Sequence, residues 1–328
     1  MASTLHIKNS IFAILIFLCT CTFRSRGGRV VHSTLRDDDE SSSIIVKKHE
    51  QWMASYGRVY KNNEEKIKRQ EILKQNLEFV EGFNNDKERN KSFWVSLNPF
   101  SDLTNEEFVA SYTGALHNQK PQPTNDDFKF GYQNMSLTNI EESKLDWREK
   151  GAVNKIKEQG LCETVAAHMT RTKPMFICKT MLSQPNQITH ISYNSHDSGT
   201  CNEQQIVMNN NNNEAIKISG YKMVPSNNEE ELLRAVAKQP VAVGIDGSEP
   251  AFRSYSGGIF TSDYCGKENN HAVTMVGYGV ENDCSKYWLI RNSWGGFWGE
   301  GGYMKLERDI DDPRGSCGIA MFPSYPVL

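Results

Sequence analysis

A histidine and an asparagine in the C-terminal part of the chain have the types and spacing that suit catalysis. His271 opens one alternating apolar run, and Asn292 follows the next run, between Trp288 and Trp294. If the two runs are antiparallel neighbours, the asparagine amide can orient the imidazole ring and fix its tautomer. A histidine held in this way is a general base, and it requires a nucleophile, usually cysteine, from elsewhere in the chain.

Length and composition limit the classes of function. The chain has 328 residues and a formal net charge of -3, enough for two domains or for one domain and a processed segment. The charges are interspersed, which argues against nucleic-acid binding by a basic face. The cysteines outside the N-terminal segment stand singly, and no phosphate or dinucleotide motif occurs, so the sequence predicts no metal and no cofactor.

The first 42 residues have the pattern of a secretory leader and a disordered extension. Residues 1–23 contain Lys8 and the apolar run Ile11–Leu18, which is too short to cross a bilayer and is typical of a signal peptide. This predicts a soluble product of the secretory pathway without a membrane anchor, in which cysteines form disulfides. Residues 24–42 are polar and charged, and we predict an unstructured lead-in.

Residues 43–110 have helical periodicity. One helix is predicted from near Ile44 to Gly57, a second from about 63 to 84, and a short third helix capped by Thr104 or Asn105. Six positions of the second helix recur at steps of three or four and share one face: Glu65, Arg69, Leu73, Asn76, Val80 and Asn84. By period alone this face is equally consistent with a solvated stripe.

Residues 111–141 are rich in Asn, Gln, Pro and Asp and predict an exposed linker. Two glycosylation sequons, at Asn90 and Asn134, indicate surface exposure. A new domain is predicted over 142–328. Its second half contains a strand near 218–224, a helix from 228 to 238 capped near Ser226, and a strand over 240–246.

Together these segments resemble the precursors of papain-family cysteine proteases, of the plant senescence-associated type. The face of the second helix is similar to the family's Glu-Arg-Phe-Asn-Ile-Asn pattern, with Leu73 and Val80 in the Phe and Ile slots. The stretch 98–102 is similar to its Asn-x-Phe-x-Asp motif, although Ser96 replaces the usual glycine. The resemblance implies an α+β, two-lobed domain with a truncated helical lobe and an intact β-rich lobe, preceded by a helical inhibitory pro-region.

The resemblance also implies roles for individual residues. His271 is the base, Asn292 its orienter, and Trp294 the shield of their hydrogen bond, while Gln159 donates to the oxyanion. The resemblance places two small residues, Ala272 and Gly244, in a pocket for a bulky apolar side chain of the substrate. It also implies a disulfide between Cys265 and Cys317, and it makes Cys178 and Cys201 candidates for another disulfide.

The nucleophile segment departs from the family pattern. Counted from Gln159, the nucleophile slot is Val165, whose side chain has no attacking atom. In one interpretation Cys162 is a structural cysteine and the nucleophile is absent. In the other, residues are lost before Cys162, so that Cys162 precedes a helix from Glu163 to Thr170 and substitutes as the nucleophile. The loop between Gln159 and the thiol would then be shortened, which would weaken catalysis. The family's Gly-Gly substrate loop is not visible between 171 and 200.

The sequence therefore predicts a zymogen of a cysteine endopeptidase that is inactive as written. By resemblance it would hydrolyse protein or peptide substrates and act as a monomer. Its own pro-region would inhibit it, and Asp102 would sense acidification. It would reside in the vacuole or lysosome or outside the cell. Two alternatives stay open. One is a non-catalytic pseudoprotease or pro-region-type inhibitor of related proteases; the other is a faulty coding sequence of an active protease that lacks an exon.

Overall fold

The computed structural model describes residues 34–86, 92–114, 130–132, 136–137, 144–156, 158, 168–169, 174–175 and 220–327. Residues 1–44 form one unit and residues 45–328 a second; of the first, only the start of a helix is described. The predicted signal peptide and the asparagines of both sequons lie outside the described residues. So do five predicted site residues: Gln159, Cys162, Val165, Cys178 and Cys201.

Helix α1 extends from Thr34 to Tyr56, so it begins well before Ile44. The prediction of an unstructured lead-in is wrong for residues 34–42, whose backbone is helical. The helix ends at Tyr56. The next residue, Gly57, has a φ of 62°, in the left-handed region that glycine adopts without a steric penalty.

Helices α2, Asn63–Asn85, and α3, Asn105–Tyr112, follow the predicted boundaries closely. The Asn62 side chain caps α2 by accepting from the Glu65 amide at 2.8 Å. Thr104 caps α3 in a reciprocal capping box with Glu107. The N-termini of both helices are thus set by capping side chains that are close to them in the sequence.

One nine-stranded sheet organises most of the described chain. Its strands are β1 (Phe93–Val95), β2 (Leu145–Asp146), β5 (Gly220–Met223), β6 (Val241–Ile245), β7 (Tyr255–Phe260), β8 (His271–Val280), β9 (Lys286–Arg291), β10 (Tyr303–Glu307) and β11 (Ser324–Val327). They lie in the order β1-β7-β10-β9-β8-β6-β11-β5, and β2 pairs with β8. The pairs are antiparallel except β7 with β10, which is parallel.

A separate two-stranded ladder joins β3, His168–Met169, to β4, Pro174–Met175. The helix over 163–170 that the second interpretation of Cys162 requires is therefore wrong at residues 168–169, whose backbone is extended. Proline at 174 lacks an amide hydrogen and favours an extended neighbour, which is compatible with a strand edge and not with a helix interior.

The second half also contains helices α4, Glu229–Val236, and α5, Pro250–Arg253. The cap of α4 is Asn228 and not Ser226, because the Asn228 side chain is placed to accept from the Glu231 amide at 3.0 Å. A disulfide joins Cys265 to Cys317. The core between these elements is aromatic and fully buried at Phe252, Trp288 and Trp298. Among the described helices, none is long and apolar enough to cross a membrane.

Candidate active site

His271 and Asn292 lie side by side across neighbouring strands. His271 is the first residue of β8, and Asn292 directly follows β9. The His271 Nε2 and the Asn292 Oδ1 are 2.9 Å apart, and Oδ1 also accepts from the Ser293 amide at 2.7 Å. Because an amide oxygen only accepts, Nε2 carries the hydrogen, and Nδ1 of the neutral ring is left to accept a proton. The pair therefore has the geometry of a base and its orienter.

Trp294 covers one face of this base. Its indole stacks on the His271 ring with centroids 4.5 Å apart and planes inclined by 25°. Trp294 is 1% exposed, and the edges of Phe252 and Trp298 pack against it. The hydrogen bond between His271 and Asn292 is consequently shielded from water, which strengthens it and holds the ring in one orientation.

Burial controls the protonation of His271. Desolvation lowers the pKa of its imidazole to about 4. The hydrogen bond that His271 donates to Asn292 opposes that shift only in part. The ring is therefore neutral over most of the pH range. An imidazolium here would need an adjacent anion such as a thiolate to stabilise it.

A buried carboxylate positions the loop that leads into His271. The Asn270 side chain accepts from the Gly247 amide and donates to Asp246 Oδ1, each at 2.9 Å. Asp246 also accepts from the Glu268 amide at 2.9 Å and is 3% exposed. Asp246 was not among the predicted site residues. The feature of the sequence that could have indicated it is a charged residue directly after the buried apolar strand β6.

The two small residues predicted for a substrate pocket are directly paired. Gly244 of β6 faces Ala272 of β8 in the strand register. A Cβ on Gly244 would lie 1.7 Å from the Asn269 Oδ1, so the Asn269 amide occupies the space over Gly244. The surface beside Gly244 therefore includes a polar amide. Asn269 was missed because it precedes His271 by two residues without any motif of its own.

The segment leading to Gln159 lies against the site. Glu158 forms an isolated antiparallel bridge with Trp294. Just before it, the Lys155 carbonyl accepts from Arg291 Nη2 at 2.7 Å. The backbone of residue 158 is thus fixed next to the tryptophan that covers His271, although Gln159 itself is outside the described residues.

Aromatic side chains from the N-terminal half cover the outer side of Trp294. Phe108 and Phe100 contact its indole edge-on, with centroids 5.0 and 5.9 Å apart. The indole Nε1 donates to the Tyr112 carbonyl at the end of α3, at 3.3 Å. We call residues 45–114 the three-helix segment, and it packs directly on the residue that shields the base.

Arg253 fastens the same segment to the β-rich half. Its guanidinium donates to the Asn76 Oδ1 of α2 and to the Leu103 carbonyl. Its own carbonyl accepts from the Asn98 side chain at 2.6 Å and from Trp298 Nε1 at 3.0 Å. Burial lowers the pKa of Arg253 to about 10, opposed by the charge of Glu106. Asn76 and Asn98, both in predicted pro-region motifs, are thus contact residues.

A buried histidine lies inside the helical segment. His49 is fully buried between the rings of Trp52 and Tyr60, with stacked centroids 6.3 and 5.7 Å away. Its Nε2 is 3.3 Å from the Tyr60 hydroxyl, which donates to Asp102 Oδ2 at 3.0 Å. Asp102, the predicted pH sensor, is therefore linked through Tyr60 to a second titratable group, the imidazole of His49.

The described residues contain no group of three or more histidine, cysteine, aspartate or glutamate side chains arranged to hold a metal ion.

Comparison with protein families gives two matches in the expected order. The cathepsin propeptide inhibitor domain matches residues 49–108, and the papain family cysteine protease domain matches residues 175–327. The first match covers all of α2, the last third of α1 and the first half of α3. The second begins after the slot at Val165, so the segment expected to carry the nucleophile lies outside it.

Curated relatives are similar over nearly the whole chain. The senescence-specific cysteine protease SAG39 of Oryza sativa subsp. indica is 36% identical, with 98% of each chain covered. That alignment extends over 351 positions, more than this chain has residues, so it includes positions that this chain lacks. The senescence-specific cysteine protease SAG12 of Arabidopsis thaliana is 36% identical, covering 90% of this chain and 94% of the relative.

Solved zymogens share the fold. The recombinant stem bromelain precursor superposes with a TM-score of 0.66 at 32% identity, covering 87% of this chain and 99% of its own. Digestive procathepsin L2 of Tenebrio molitor gives a TM-score of 0.68 at 28% identity, covering 87% and 100%. Both comparison structures contain a pro-region, which agrees with the packing of residues 45–114 on the site.

Proposed function

Because this chain belongs to the papain family of cysteine proteases, we propose that it is a zymogen-type member whose base and orienter are intact and whose nucleophile is absent. The chain has the family's zymogen organisation, with its own pro-region as an intramolecular inhibitor. The observation that carries the proposal is Val165 in the nucleophile slot. A branched alkyl group supplies neither the attacking atom nor the thiolate that would stabilise a protonated His271.

The ordered remainder of the site supports this assignment of roles. His271 would act as base, Asn292 as orienter and Trp294 as shield, and Gln159 would supply the oxyanion donor next to the anchored residue 158. Gly244 and Ala272 would line a substrate pocket that Asn269 makes partly polar. In the family these groups serve peptide-bond hydrolysis through a thioester; without a thiol, substrate could be bound but not acylated.

The experiment is covalent labelling of the full-length protein with an epoxide-type inhibitor of thiol proteases. Cys284 is free and exposed, so labelling is compared in a Cys284→Ser background that removes adventitious reaction. We expect no labelling and no hydrolysis of peptide substrates. Labelling that disappears on Cys162→Ser would overturn the proposal and establish Cys162 as a substitute nucleophile.

Sequencing of the transcript across codons 160–190 tests the remaining alternative. A read that restores a cysteine in the nucleophile slot, together with residues missing from the helical lobe, would identify the chain as a faulty version of an active endopeptidase. A read identical to the present sequence would leave Val165 in place and support the inactive form.

A second candidate function is capture of related proteases by the pro-region. It is favoured by the match of residues 49–108 to the inhibitor domain and by the contacts of Phe108, Asn76 and Asn98. Titration of the full chain into an active papain-family protease tests it. Loss of that protease's activity at stoichiometric amounts would support a trans-inhibitor, and unchanged activity would exclude one in this form.

The processing scheme is part of the proposal. We infer a signal peptide over 1–23, a pro-region over 43–110, a linker over 111–141 that is cut near its end, and a peptidase domain over 142–328. The disulfide between Cys265 and Cys317 supports maturation in an oxidising compartment, and a vacuolar or extracellular monomer fits this environment. Mass spectrometry of the secreted protein would locate both cut sites.

A further inference from the structure

A short aromatic segment of the linker is packed on the last strand of the sheet. Phe130 is 6% exposed, and its ring contacts Tyr325 edge-on at a centroid distance of 6.3 Å. The Tyr132 ring lies 5.3 Å from Tyr325 and 5.7 Å from Phe130. The Gly131 amide donates a long hydrogen bond of 3.4 Å to the Tyr325 hydroxyl. We call residues 130–132 the aromatic anchor.

The aromatic anchor contributes to the burial of Tyr325. That residue is 3% exposed, and burial raises the pKa of its hydroxyl, with the Gly131 hydrogen bond opposing the shift. Tyr325 belongs to β11, which pairs with β6, the neighbour of the strand that begins at His271. The surface under the anchor is therefore a fixed part of the peptidase sheet.

This contact is distinct from the one made by the three-helix segment. That segment joins the opposite end of the strand order, where β1 pairs with β7 and Ser92 Oγ donates to the Ile259 carbonyl. The anchor joins near the other end, at Tyr325 of β11. The pro-region and its linker therefore contact the peptidase half at two separated places.

Two attachments on one chain raise the apparent affinity without new contacts. Once one attachment is formed, the other forms at a high effective concentration, and the joint affinity exceeds either alone by on the order of 10²- to 10⁴-fold. A cut after the anchor leaves both attachments on the released fragment. A cut before the anchor would leave only the helical attachment.

We propose that the aromatic anchor keeps the cleaved pro-region bound to the peptidase domain, so that cutting the chain beyond residue 137 does not by itself release the inhibitor. The occupant of the Tyr325 surface is the chain's own Phe-Gly-Tyr segment. The proposal uses the zymogen organisation alone and is independent of whether a nucleophile is present, so its outcome is separate from that of the labelling experiment.

The test introduces a recognition sequence for a site-specific protease between Leu137 and Lys144 of the full chain. After the cut, dissociation of a fluorescently labelled pro-region fragment is followed by size-exclusion chromatography and by dilution kinetics. We expect the fragment of the otherwise unchanged chain to remain bound. Phe130→Ala and Tyr132→Ala are expected to accelerate its dissociation at least tenfold.

Two further variants separate ring packing from hydrogen bonding and from general effects. Tyr325→Phe removes only the long hydrogen bond and should change the dissociation rate less than threefold. Tyr221→Ala alters a half-exposed aromatic on the adjacent strand β5 and should leave the rate unchanged. Because Phe130 and Tyr132 belong to the linker, their replacement tests the anchor without altering the peptidase domain.

Equal dissociation rates for the unchanged chain, Phe130→Ala and Tyr132→Ala would overturn the proposal. So would immediate release of the unchanged fragment on cutting, or an effect of Tyr221→Ala as large as that of Phe130→Ala.

Discussion

The imidazole of His271 lies almost flat on the indole of Trp294, with 4.5 Å between the ring centroids. The same indole donates to the Tyr112 carbonyl and carries Phe108 on its edge. One tryptophan thus connects the base of the site to the pro-region that covers it. A change in the protonation of His271 and a change in the docking of the pro-region are therefore both expected to affect Trp294.

The stability of the protein should fall with acidification because His271 is buried in its neutral form. The folded pKa is about 4, against an unfolded value of about 6.5. Between these values the unfolded chain binds a proton that the folded chain does not, so stability is present above pH 6.5 and is lost toward pH 4. The total loss is about 3 kcal/mol.

Denaturant unfolding of the full chain at several pH values measures this loss. His271→Gln should flatten the dependence over that window, whereas replacement of the exposed Arg314 by Ala should not. An unchanged slope in the His271 variant would contradict the assigned protonation state.

The pro-region should loosen in acid through His49. Burial lowers the pKa of His49, while the carboxylates of Glu50 and Asp102 favour its charged form and Lys66 disfavours it. The stability that neutral His49 contributes is present above about pH 6.5 and is lost as the pH falls through the lowered value. The protection factors of the α1 amides, which are corrected for the pH dependence of intrinsic exchange, should fall from pH 7 to pH 5, and His49→Gln should remove most of that change.

Tyr60→Phe is the companion variant, because it deletes the hydroxyl between His49 and Asp102 while keeping the ring. It should cost about 1 kcal/mol at neutral pH. If the protection factors of α1 were the same at both pH values, the link between His49 and acidification would be wrong.

Replacement of Arg253 should weaken pro-region docking. Arg253→Ala leaves the Asn76 and Leu103 oxygens without their charged donor, at a cost of about 2 kcal/mol. Limited proteolysis should therefore cut the pro-region roughly 30-fold faster at a subsaturating protease concentration, following the open population. Asn76→Ala should reproduce the direction from the other side of the contact, and Arg314→Ala, at an exposed arginine paired with Asp312, serves as the control.

Loss of the disulfide should destabilise the peptidase half. Cys265 and Cys317 are separated by 52 positions, and closing a loop of that length is worth roughly 4 kcal/mol in the chain-entropy description. A Cys265→Ser, Cys317→Ser double variant should unfold at a lower denaturant concentration, and reduction should have the same effect. Cys284→Ser should leave the midpoint where it is; a shift as large as that of the double variant would point to a different origin.

Local signals were sufficient for much of the fold. The boundaries of α2 and α3 follow from periodicity and from the caps at Asn62 and Thr104, which act within one turn. The early start of α1 was missed because the polar and charged residues before Ile44 resemble a disordered segment in composition. Likewise, the strand at 168–169 depends on pairing with 174–175, which periodicity does not report.

The sequence by itself determined the family, the order of pro-region and peptidase domain, the pairing of His271 with Asn292, and the lack of a thiol at Val165. These follow from residue types and spacings along the chain. Only the tertiary structure decided that Asp246 fixes the loop before His271, that Asn269 fills the space over Gly244, and that Phe130 and Tyr132 pack on Tyr325. Those contacts join residues through strand register and burial, and neither leaves a periodic signal in the sequence.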